Sequence, residues 1–159
     1  MFLDVQGQFS DAQALTASAV GTNAIDLATA RSIGNGEPLC VVFTVDVAAD
    51  QTTGDEDYTF DVEYASAADQ SAGRELIGRR VFESGTPTAP AQDADLLVAG
   101  FQFVIPIPPT TQDEDARYLG IRYVLAGTTP TITMTAHLVP QSFAEVAPQP
   151  SYPSGYSIT

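Results

Sequence analysis

The sequence predicts an all-β fold, a jelly-roll antiparallel sandwich of about eight strands with an extended C-terminal arm. Apolar residues recur with period two along at least five segments, the spacing of half-buried strands. Runs rich in Gly, Pro and Asp separate these segments, and no long helical period lies between them. Long connections between some strands favour a jelly roll over a simple meander.

The elements follow in chain order. Ser10 and Gln13 have capping-box spacing, which predicts at most one helical turn there. Leu15 to Val20 is compatible with strand or helix, because alanine suits both. Ala24 to Leu27 reads as a short strand. Leu39, Val41, Phe43, Val45 and Val47 form a strongly apolar strand face. Tyr58, Phe60, Val62 and Tyr64 alternate with Thr59, Asp61 and Glu63, predicting a strand whose acids face water. Leu76 to Phe82 reads as a strand in which Arg79 and Arg80 point to opposite faces. One arginine is then placed to pair with an acid of its own sheet and the other to reach a partner. Phe101, Phe103, Ile105 and Ile107 form another strand, and Pro106 within it means that its far end is at a sheet edge or leaves the sheet. Leu119 to Leu125 and Ile132 to Leu138 complete the set. Gly34-Asn35-Gly36, Gln51 to Glu56, Gly85 to Pro90 and Pro108 to Asp115 are the breakers. Gly127 to Pro130 is short enough for a hairpin.

Two parts result: a jelly-roll domain over residues 1–139 and an arm over residues 140–159. The arm contains Pro140, Pro148, Pro150 and Pro153, and its only charge is Glu145. That composition reads as extended chain with polyproline character. Its Phe143, Val146, Tyr152, Tyr156 and Ile158 are more apolar than a plain disordered tail carries, so the arm is expected to dock on its own domain or a neighbour.

Charge and chemistry exclude more than they support. There are 20 Asp and Glu against six bases, a net charge of −14, and all six bases are arginine. Such a chain is poorly suited to neutralise a phosphate backbone or an anionic membrane. Without lysine there is no Schiff base and no P-loop lysine. One cysteine (Cys40) and one histidine (His137) cannot form a Cys/His metal cluster. Cys40 lies in an apolar strand and reads as a buried hydrophobe. His137 falls on a threonine face and reads as a structural histidine. The acidic runs Asp55-Glu56-Asp57 and Asp113-Glu114-Asp115 lack the EF-hand pattern and read as solvated loops. The first residues lack the basic and apolar regions of a signal peptide. The expectation is therefore a structural or binding protein, with no catalytic residues, no metal and no cofactor.

The N-terminal third is more specific. Gln8-Phe9-Ser10-Asp11-Ala12-Gln13, Thr22-Asn23-Ala24-Ile25-Asp26-Leu27 and Ile33-Gly34-Asn35-Gly36-Glu37-Pro38-Leu39 resemble the capsid cement (decoration) proteins of tailed bacteriophages, of the type found in Bordetella phage. The resemblance implies a jelly roll on the outside of an icosahedral shell. There it would bridge neighbouring major capsid protein subunits and reinforce the shell against the pressure of packaged DNA. It also implies a homo-oligomer, dimer or trimer, made in the cytoplasm of the bacterial host and carried on the outer capsid surface of the virion. The residues expected to meet a partner are Phe2, Leu3, Phe9, Arg79, Arg80, Phe143, Tyr152 and Tyr156. A carbohydrate-binding jelly roll for host attachment is the alternative. Residues 32–73 hold nine acids and no base, which suggests an acidic middle facing solvent and arginines turned toward protein.

Overall fold

The computed structural model describes residues 5–28, 36–84, 93–108 and 117–144. Among them are nine strands: β1 (Gln8–Leu15), β2 (Ala19–Val20), β3 (Ile25–Asp26), β4 (Leu39–Val47), β5 (Asp57–Ala65), β6 (Glu75–Glu83), β7 (Gln102–Ile107), β8 (Tyr118–Ala126) and β9 (Ile132–Pro140). A single turn of helix, α1 (Gln141–Ala144), follows β9. The first sheet has the order β1-β9-β4-β7. The second runs β2-β8-β5-β6, with β3 also on β8. All pairings are antiparallel.

The chain passes repeatedly from one sheet to the other, which is jelly-roll connectivity. β2 and β3 share the role of one broken edge strand. Both pair with β8, at Arg122–Tyr123 and Tyr118–Leu119 respectively.

Period two decides what faces inward. Val41, Phe43 and Val45 from β4 and Tyr58, Phe60, Val62 and Tyr64 from β5 are buried, together with Leu119, Ile121, Tyr123 and Leu125 from β8. The centre is an aromatic cluster. Phe43 stacks on Phe103 with centroids 5.0 Å apart. Phe60 meets Phe103 edge-on at 4.9 Å, and also Phe82 and Tyr123 at 5.8 and 5.9 Å. These distances lie in the favourable range for aromatic pairs. Gly78 allows the sheets to close at one side. A Cβ there would lie 2.5 Å from Ile105 Cγ2.

Several expectations need correction. Residues 8–15 form strand β1, not a helical turn. The inward side of β1 is buried through Phe9 and Leu15, and the Ser10 hydroxyl hydrogen-bonds Tyr123 Oη at 2.6 Å. The segment from Leu15 to Val20 is neither one strand nor a helix: β1 ends at Leu15 and β2 holds only Ala19 and Val20. The arm does not begin as extended chain. Pro140 closes β9, and residues 141–144 turn helically back toward β4, with Gln141 N–H donating to Pro38 O at 2.8 Å. Residues 145–159 lie outside the described residues. The edge placement of the Pro106 strand agrees with the structure, since β7 ends the first sheet.

Phe60 meets four other rings at the centre of the sandwich, those of Phe43, Phe82, Phe103 and Tyr123. Phe60→Ala is expected to cost about 3–5 kcal/mol. Leu96→Ala, at an exposed site, should stay within about 0.5 kcal/mol. Urea denaturation followed by circular dichroism checks both.

Candidate functional site

The outward face of the second sheet is organised by charge. Register places Arg79 of β6 and Arg122 of β8 on either side of Asp61 of β5. Asp61 is buried and accepts two bonds from Arg79, Nε–H at 2.6 Å and Nη2–H at 2.8 Å. Arg122 Nε donates to Glu63 at 3.2 Å, and its Nη2 donates to the Gln70 carbonyl at 3.0 Å. Arg74 approaches Glu63 at 4.0 Å. Gln70 itself lies over Gly120, where a Cβ would sit 1.9 Å from its side-chain nitrogen. At the other edge Arg117 grips Asp26 with bonds of 2.7 and 2.6 Å. The Arg117 hydrogen bond, with one from Ala28 N–H, holds the Asp26 carboxyl at about 2. Hydrogen bonding to Asp61 raises the Arg79 guanidinium above its usual range.

This arrangement overturns the expectation that the acids of β5 face water. Asp61 and Glu63 are buried beneath arginines of their own sheet. The expectation that one arginine of the doublet pairs with its own sheet holds for Arg79. Arg80, on the opposite face of β6, places its guanidinium 5.1 Å from the Phe82 ring centroid, a cation–π contact.

The loop before β5 is equally self-contained. Glu56 is buried and accepts N–H bonds from Thr53, Gly54 and Asp55 as well as the Thr53 hydroxyl. Burial opposes its ionisation, but these donors outweigh it and hold the carboxyl below its usual range. Asp55 accepts from the Thr53 hydroxyl and from both the N–H and hydroxyl of Thr128. These carboxylates tie the β4–β5 loop to the β8–β9 loop. Donors already occupy them, whereas a cation would need free oxygens. No group of three candidate metal ligands exists among the described residues.

The outward face of the first sheet carries a small apolar cluster. Cys40, Val42 and Val139 pack with Ala144 of α1, and Val104 borders them. Burial pushes the Cys40 thiol up to about 11, so little thiolate exists at neutral pH. His137 faces outward beside Val42, half-buried, and its Nδ1 is buried without a hydrogen-bond partner. Burial lowers its pKa, against a smaller raising effect of Asp11. The structural reading of both residues fits these surroundings.

The expected partner residues scatter. Phe9 has no exposed surface and packs in the core cluster between the sheets, so it is not available to a partner. Phe143 is 52% exposed on α1, at the root of the arm. Arg79 and Arg80 are exposed on β6. Phe2, Leu3, Tyr152 and Tyr156 lie outside the described residues. Val47, expected on the apolar face of β4, is exposed instead, because the register shift between Val45 and Val47 turns it out of that face. Exposed Leu76, Val81, Leu96 and Val98 were not singled out as partner residues from sequence. Leu76 sits beside the Val62/Glu63 register shift, where the β6 alternation slips, and Val81 lies on the outward face.

The Bbp16 family profile matches residues 9–138. The chain belongs to the Bbp16 family. Its name marks a Bordetella phage protein. The match begins at the first buried residue of β1 and ends within β9, so it spans the sandwich and leaves out the arm. No curated protein matches the chain.

Two outcomes are expected from these surroundings. Arg79→Ala strands a buried carboxylate and should cost about 3 kcal/mol. Asp61→Ala should cost less, since a half-exposed arginine can return to water; denaturant midpoints of the two variants give the order. His137 has a folded-state pKa below its unfolded value of 6.5. As pH falls below that value the unfolded chain binds the proton first, so stability is lost. Thermal melts between about pH 7 and pH 5 should fall for the native protein and fall less for His137→Gln.

Proposed function

We propose that the protein is a capsid cement protein. It binds the outside of an icosahedral phage shell, bridges neighbouring major capsid protein subunits and reinforces the shell against packaged DNA. Membership in the Bbp16 family across the whole sandwich carries this reading. The chemistry supports it. The described carboxylates of the acidic loop are spent as staples, the thiol is buried, and the arginines of the second sheet hold their own acids. What remains is a tightly tied scaffold, which suits a mechanical role.

A cement must contact subunits on both sides of a seam. Individual contacts can be modest, because many copies and several contacts per copy give avidity. The arm is suited to one of them. Its root presents Phe143, and it carries one charge in residues 140–159, so it can lie in a groove or add to a neighbour's sheet edge. Self-association into a dimer or trimer belongs to the same reading. Sugar binding is less well supported, since Tyr58, Tyr64 and Tyr123 are buried in the core.

Purified protein added to shells that lack it should appear by electron microscopy on the outer surface across subunit boundaries, and should raise the temperature at which shells rupture. A chain ending at Ala144 keeps every described element. It should fold normally but occupy fewer sites. Specific glycan binding with no affinity for shells would overturn the cement reading, and full occupancy by the truncated chain would overturn the role of the arm.

A further inference from the structure

The side edges of the two sheets differ in how they are protected. β7 is six residues long and contains Pro106. β1 is broken by two register shifts. The edge formed by β2 and β3 offers two residues in each piece. β6 is different. It has nine residues, and among the described strands only β5 and no other pairs with it. Its one irregularity lies between Leu76 and Gly78, so residues 78–83 run regularly along β5. Arg79, Arg80 and Val81 are all exposed although they alternate between faces. Among the described residues the edge is therefore open from both sides. A long regular edge of this kind is a template for another strand.

The sequence of β6 supplies its own complement. When two copies of one strand pair antiparallel about a two-fold axis, residues on the same face meet in a fixed register. With the axis at Val81, the 38% exposed Val81 meets its counterpart, and Arg79 meets Glu83 of the second copy on both sides of it. On the inward face Arg80 meets Phe82 of the second copy. An axis at Arg79, Arg80 or Glu83 puts like charges opposite each other, which is destabilising. An axis at Gly78 or Phe82 brings no opposite charges together. Arg79 commits Nε–H and one Nη2–H to Asp61, and its other N–H groups remain to reach a second carboxylate.

We propose that β6 pairs with β6 of a second copy, antiparallel about a two-fold at Val81, so that the second sheets of two jelly rolls become one continuous sheet. This gives a surface to the self-association included in the cement reading and rests on that part of it. It is tested on the free protein, so its failure leaves shell binding untouched.

Sedimentation equilibrium should give the native chain roughly twice its 16.8 kDa. Val81→Lys puts two cations on the axis, and Glu83→Arg sets arginine against arginine. Each should weaken the dimer at least about tenfold while keeping the native circular dichroism spectrum. Under oxidation Val81→Cys should give a covalent dimer, because Cys40 is buried. Leu76→Cys, exposed but out of register, should not. A native chain that stays monomeric up to about 100 μM would overturn the proposal. So would a dimer unaffected by Val81→Lys, or equal crosslinking from the two cysteine variants.

Discussion

Every other feature of this fold depends on the contact between two sheets through the rings of Phe43, Phe60, Phe82, Phe103 and Tyr123. Neither sheet could persist alone in water, because its inward face is almost wholly apolar. Burying these rings gives the largest share of the favourable free energy, and edge-on and stacked geometry adds specificity. Tyr123 carries the one polar atom of this group, and it is satisfied by Ser10 of β1. That bond joins the edge strand of one sheet to the centre of the other. The small residues follow from the same closeness. Gly78 and Gly21 sit where a side chain would strike Ile105 and Ile121.

The polar surface obeys a second constraint, set by the net charge of −14. An acidic chain repels itself when compact. Here much of that cost is offset locally. Asp61, Glu63 and Asp26 face arginines, while Glu56 and Asp55 face N–H and O–H donors. The arginines are placed by strand register, not by sequence proximity. Arg79 bonds Asp61 across β5/β6 from 18 residues along the chain, and Arg122 bonds Glu63 across β5/β8 from 59 residues along it.

Much of the architecture was legible because long strands announce themselves. β4, β5, β8 and β9 each turn one apolar face inward, and period two with apolar residues records that directly. β7 was legible with its edge position because proline cannot donate to a ladder on both sides. β3 falls inside the short strand read at Ala24 to Leu27, whereas β2 was not legible, since its two residues carry no period. β1 was misjudged for a related reason. Its bulges and the positive φ of Ala12 (43°) interrupt the alternation, and Ser10 with Gln13 imitates a helix start. Phe9 was not legible as a core residue because the same bulges deprive β1 of the regular period that would mark it as inward.

By itself the sequence determined the fold class and the inward faces of the long strands. These follow from composition and local alternation, which any stretch of chain carries with it. The tertiary structure alone decided which acids are buried, which arginines they meet, and which strand is left as an open edge. Those depend on register between strands distant in sequence, and a shift of one residue would exchange every outward side chain for an inward one.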